Sequence, residues 1–131
     1  MDAADLLAAA RQLLSQPAGT ATGVWPRAAA LLARQALENA LDEFWEANPA
    51  TSGLSRSSRR AQFACLPTYL NGDAARRAAY VWVALSRACH YHVYELAPTA
   101  AELADWISNV AGFMAACREA AGPAGNRGND E

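Results

Sequence analysis

Apolar residues recur at three- and four-residue intervals along most of this chain, the spacing that lines them up on one face of an α-helix. Leu6, Leu7, Ala10, Leu13 and Leu14 predict a first helix over residues 2–15, ended by Pro17 and Gly19. Pro26 suits a first helical turn, where its missing N–H would have no partner anyway. A second helix is therefore expected over 26–46, with Ala30, Leu31, Arg34, Leu37, Leu41, Phe44 and Trp45 as its stripe and Asn48-Pro49 as its stop. A polar loop, 49–55, leads to a shorter third helix over about 57–66, which Pro67 kinks or ends.

Leu70-Asn71-Gly72-Asp73 reads as a turn, with Asp73 as the N-cap of a fourth helix running from 74 to about 96. Its middle, from Tyr80 to Leu85, is apolar on every face, so other helices or a partner subunit should surround it. Pro98 stops it. Thr99 and Glu102 have the spacing of a capping box and open a fifth helix carrying Leu103, Trp106, Ile107, Val110, Phe113, Met114 and Cys117. Gly122-Pro123 ends that helix, and the Gly- and Asn-rich residues 122–131 are expected to form a disordered tail. No segment alternates with the period of a strand, and no repeat is visible. The expected fold is all-α, an antiparallel bundle of about five helices forming one domain over residues 1–121.

Composition narrows the function classes. Of 131 residues, 53% are apolar and 18% charged, which suffices for a core and excludes a disordered chain. Lysine is absent, and a net charge of −2 argues against a protein that coats long nucleic acid. It does not argue against an enzyme that engages a few nucleotides. Cys65, Cys89 and Cys117 form no CxxC pair and are expected to be buried, reduced thiols. No leader and no apolar run of about 18 residues is present, so a cytoplasmic protein without a membrane partner is expected.

The candidate chemistry lies in Leu85-Ser-Arg-Ala-Cys-His-Tyr-His-Val-Tyr-Glu-Leu-Ala-Pro98. Both histidines of the chain, His90 and His92, follow Arg87 there by three and five positions. Histidine titrates near neutrality and can move protons to and from ribose and leaving-group oxygens. Arginine stays charged, and its planar fork can hold a phosphate as charge builds on it. Neither role requires a metal. Cys89, His90 and His92 make no regular ligand spacing with Cys65 or Cys117, and no metal or cofactor is expected. On a regular helix Arg87 and His92 stand about 140° apart, whereas Arg87 and His90 stand about 60° apart.

The Arg87-x4-His92 motif, placed at the end of a late helix and followed by Tyr94-Glu-Leu-Ala-Pro98, resembles the HEPN superfamily of helical domains common in toxin–antitoxin and phage-defence systems. Ala33-Arg-Gln-Ala-Leu-Glu-Asn-Ala-Leu41 is similar to the early HEPN helix, and Ser86-Arg-Ala-Cys-His-Tyr-His92 most resembles actinobacterial members. The likeness spans about residues 26–118. It implies a homodimer in which two motifs meet across a two-fold seam and form one composite site. Where the family often has a polar residue after the arginine, this chain has Ala88.

The motif favours His92 as the catalytic partner of Arg87, while the helical wheel favours His90, here read as auxiliary. The expected activity is metal-independent RNA cleavage of toxin or phage-defence type, leaving 2′,3′-cyclic phosphate and 5′-hydroxyl ends. The alternative is a non-catalytic HEPN binding module. Expected partners are a second copy, RNA, and an antitoxin or a nucleotidyltransferase. Glu95 is placed to pair with the His92 imidazolium, and Tyr91 to stack on Arg87. Arg59, Arg60, Arg76 and Arg77 are candidate contacts to the RNA backbone, or else a solvated loop and helix start. Arg34 and Glu38 form an i, i+4 pair, read as a modest helix stabiliser or, if buried near the interface, a brace for Arg87. The four tryptophans, Trp25, Trp45, Trp82 and Trp106, read as core or dimer-interface anchors.

Overall fold

A computed structural model describes residues 1–15, 25–90 and 96–121. Within them the chain forms five α-helices and no strand: α1 (Ala3–Leu14), α2 (Trp25–Glu46), α3 (Arg59–Cys65), α4 (Gly72–Cys89) and α5 (Ala100–Ala121). Short 3-10 turns at Ser52–Arg56 and Leu66–Thr68 flank α3. The first helix starts where the Asp2 carboxylate accepts from the Asp5 N–H at 2.8 Å, and Asp5 reaches back to the Asp2 N–H. The expected capping box of α5 is present: Thr99 N–H donates to Glu102 Oε1, and Glu102 N–H to Thr99 Oγ1, both at 3.1 Å.

The centre of the bundle is α2, on which α1, α4 and α5 all pack. Ala29, Ala30, Ala33, Ala36, Leu37 and Leu41 are fully buried along it. This corrects the expected stripe, because Leu31 is 40% exposed and Arg34 only half-buried. The physical reason is close packing: helix axes approach according to the side chains between them, so an alanine row becomes the contact surface. It also displaces α4 as the expected hub. That helix buries Ala75, Ala78, Val81 and Leu85 on one face and leaves Tyr80 67% and Val83 49% exposed.

Two further expectations about α4 are corrected. Its N-cap is Asn71, whose Oδ1 accepts from the Asp73 N–H at 2.9 Å, so Asp73 sits inside the first turn. Its last helical residue is Cys89, well short of residue 96. His90 has already turned extended (φ −82°, ψ 133°), and residues 96–99 are not helical. Histidine at position 90 loses side-chain freedom in a helix, and Pro98 disfavours helix at residue 97. The proposed turn at Pro17 and Gly19 and the proposed tail at 122–131 lie outside the described residues. Among the described residues no helix is long and apolar enough to cross a membrane.

Trp45 ties the chain between α2 and α4 to the core. It is fully buried, its indole N–H donates to Gln62 Oε1 at 3.3 Å, and its carbonyl accepts from the Thr51 hydroxyl at 2.8 Å. The Gln62 amide in turn donates to the Ser57 carbonyl at 2.7 Å. Trp25, Trp82 and Trp106 are half-buried, and the Trp82 ring rests 5.3 Å from that of Phe63.

The three cysteines are free thiols, half-buried instead of buried as expected. Burial pushes the Cys117 thiol from its ordinary value of 9.0 up to about 12, with Glu43 adding to the shift and Arg118 opposing it. Native Cys117 should therefore react with a thiol reagent at pH 8 roughly 10³-fold more slowly than in the unfolded chain, from the loss of thiolate alone. Mass-spectrometric mapping of labelled peptides over time checks this. The fold favours the neutral thiol, so its contribution to stability is complete below pH 9.0 and is lost as pH rises from there towards about 12.

Candidate functional site

The end of α4 and the start of α5 bound a cleft of about 420 Å³. Arg87 and His90 line it from the α4 side, and Pro98, Thr99, Glu102 and Trp106 from the α5 side. Arg87 stands in the last turn of α4, where a positive charge is favoured by the helix dipole. It is exposed and, among the described residues, its guanidinium has no ion-pair or hydrogen-bond partner. Ala84 and Ala88 lie one turn apart on the flank of α4 that faces the cleft. Ala88 thus forms part of the wall.

Arg27 completes the site and was not singled out by sequence reasoning. Its Nη1 donates to the His90 carbonyl at 2.9 Å, joining the start of α2 to the end of α4. One signal was available: an arginine in the first turn of a helix faces the positive end of the dipole, so it calls for a tertiary partner. The C-terminal carbonyl of α4 supplies one. Trp106 also escaped notice as a site residue, because its place in the regular stripe of α5 marks it equally well as core.

His92, Tyr91 and Glu95 lie outside the described residues. The angular argument between His90 and His92 nevertheless changes, since it assumed a helix continuing past residue 90 and α4 ends at Cys89.

The basic residues proposed as RNA contacts divide. Arg59 is committed to carboxylates: its Nε donates to Glu38 at 2.9 Å and its two terminal nitrogens to Asp42 at 2.6 and 3.1 Å. The hydrogen bond to Asp42 raises its pKa further, against the cost of partial burial. Gln62 takes another of its protons at 3.0 Å. A guanidinium so occupied fastens α3 to α2 and has little left for phosphate. Arg60 is exposed. Arg76 and Arg77 are exposed and both pair with Asp73, at 3.6 and 3.1 Å. They stand about 16 Å along α4 from Arg87, so the structure does not bring them to the cleft.

The Arg34–Glu38 ion pair is present at 3.3 Å, but the other oxygen of Glu38 is taken by Arg59, which makes the pair part of the α2–α3 clamp. Cys89, at the end of α4, lies within reach of its field; burial chiefly raises that thiol's pKa, Arg34 opposing and Glu38 reinforcing. Among the described residues no three histidine, cysteine, aspartate or glutamate side chains gather as they would around a metal ion.

The chain matches no known protein family, no curated protein and no solved structure.

Proposed function

We propose that this chain is a HEPN-type, metal-independent endoribonuclease of the toxin or phage-defence kind, acting as a homodimer. The supporting observation is Arg87, an open guanidinium on the wall of a cleft that it shares with His90. A guanidinium in that position can take a phosphate through two parallel N–H bonds. The 2′-oxygen of the preceding ribose attacks phosphorus, its proton passing to an imidazole, and the bond to the 5′-oxygen breaks as that oxygen receives a proton. His92 carries the proton transfers with His90 as auxiliary, and Arg87 offsets the charge gathering on the phosphoryl oxygens. DNA lacks the attacking hydroxyl and should be inert.

Tyr80, Val83 and Arg87 follow one another at i, i+3 and i+7 and therefore share the exposed face of α4. A second copy laid over Tyr80 and Val83 would bring two Arg87 side chains to one seam, as a composite site requires. The protein should scatter light as a dimer at tens of micromolar, an order-of-magnitude concentration for a stable pair. Glutamate at both Tyr80 and Val83 should shift it towards monomer. A wild-type monomer at that concentration would argue against the composite site.

The decisive experiment is incubation of the purified protein with mixed RNAs in EDTA, followed by mapping of the cut ends. Cyclic phosphate and 5′-hydroxyl termini are expected. A requirement for magnesium would end the ribonuclease reading and leave a helical binding module, for which a nucleotidyltransferase or an antitoxin is the natural partner to test.

A further inference from the structure

We infer that Trp106 is a nucleobase platform, and that the cleft takes an unpaired nucleotide of a single-stranded nucleic acid. The inference rests on the reading of the Arg87 cleft as an RNA site, but not on the cleft being catalytic. The indole is half-buried, whereas Leu103, Ile107, Val110 and Phe113 of the same stripe are buried and Met114 is half-buried away from this cleft. Ala84 and Ala88, on the α4 side of the same cleft, are too small to fill it. Leu96 and Pro98 add apolar surface around the same space. A flat aromatic surface bounded by small and apolar groups suits the face of a base, any base, because every base has a π-face.

Charge places the rest of the nucleotide. Among the described residues, Arg87 brings a positive charge without an ion-pair partner to the α4 side of the rim, while the Glu102 carboxylate, which accepts from the Thr99 N–H, stands on the α5 side. The phosphate is therefore drawn to the α4 side and the base to the α5 side. A volume of about 420 Å³ lies at the small end of the range for small-ligand sites, roughly 300–1,000 Å³, which fits one nucleotide and not a duplex. In a duplex each base is stacked on both faces and has none to offer. Trp106 is thus a specificity-determining residue that selects unpaired substrate.

The test measures binding, with a fluorescently labelled single-stranded DNA of about eight nucleotides that cannot be cleaved. Trp106→Ala should weaken its binding about ten- to a hundredfold, whereas Trp106→Phe should retain most of the affinity. Ala88→Leu, which fills the cleft with Trp106 intact, should weaken it comparably. The slope of affinity against salt should stay unchanged in Trp106→Ala and become shallower by about one unit in Arg87→Ala, which separates a stacking role from a charge role and from general damage to the fold. Should Trp106→Ala fail to fold, Trp106→Phe and Ala88→Leu decide the matter. Unaltered binding by Trp106→Ala or Ala88→Leu, no binding by the wild type, or preference for the duplex of the same sequence overturns the inference. Binding as expected without RNA cleavage sinks the ribonuclease reading alone; cleavage with Trp106-independent binding sinks this inference alone.

Discussion

Replacing Arg87 or His92 with alanine should lower the rate of RNA cleavage by roughly 10²–10⁴, the scale for losing a charge-stabilising or proton-transferring group. For Arg87 the loss should be chemical and not structural. The side chain is exposed and without a partner among the described residues, so alanine removes no packing. It forfeits only the favourable position of a positive charge at the end of α4, about 0.3–1 kcal/mol, partly offset by the helix propensity of alanine. Arg87→Lys should remain impaired, since an ammonium keeps the charge but not the planar fork. His90 provides a control within the motif: Arg27 is held by its backbone carbonyl, so His90→Ala preserves that anchor while removing the imidazole. Gel assays of a defined RNA, with thermal melts of each variant, check these outcomes. A dead His90→Ala beside an active His92→Ala would reassign the catalytic histidine. Normal cleavage by both histidine variants would remove the mechanism altogether.

Trp45→Ala should destabilise the fold by about 3–5 kcal/mol, a large share of the roughly 5–15 kcal/mol that holds a domain of this kind together. Truncation empties the space of a fully buried indole and removes its edge contacts with Phe44 and Tyr69, whose ring centres lie 5.3 and 5.7 Å away. It also takes the indole N–H from Gln62, which is itself buried. The Gln62 amide keeps Ser57 and Arg59, so the 3-10 turn and α3 should loosen from α2 without coming apart. Urea unfolding followed by circular dichroism measures the change in midpoint. A loss below about 1 kcal/mol would mean that the cavity closes freely and that Trp45 does not anchor this segment.

What could be read in the sequence was whatever is settled within a few residues. The capping box at Thr99, the periodic stripe of α5 and the stop at Asn48-Pro49 depend on residues a few positions apart, and α1, α2 and the start of α5 keep close to their expected bounds. The all-α class followed from the same local regularity. The cleft was legible only in part. Arg87 and His90 do line one space, but Arg27 reaches it from 63 positions away along the chain, and Trp106 from the next helix.

The sequence by itself determined which segments are helical and where polar chemistry concentrates, because hydrogen-bond periodicity and capping are local. Only the tertiary structure decided which side chains those helices cover. Arginine at 59 and arginine at 87 are chemically identical. Glu38 and Asp42 lie 21 and 17 positions from Arg59, yet packing sets them against it and neutralises its fork. At Arg87 no carboxylate among the described residues does so, and the fork faces the cleft. Likewise alanine, weakly apolar on any scale, became the most buried face of α2, because the closest helix contacts select for the smallest side chain and not for the greasiest.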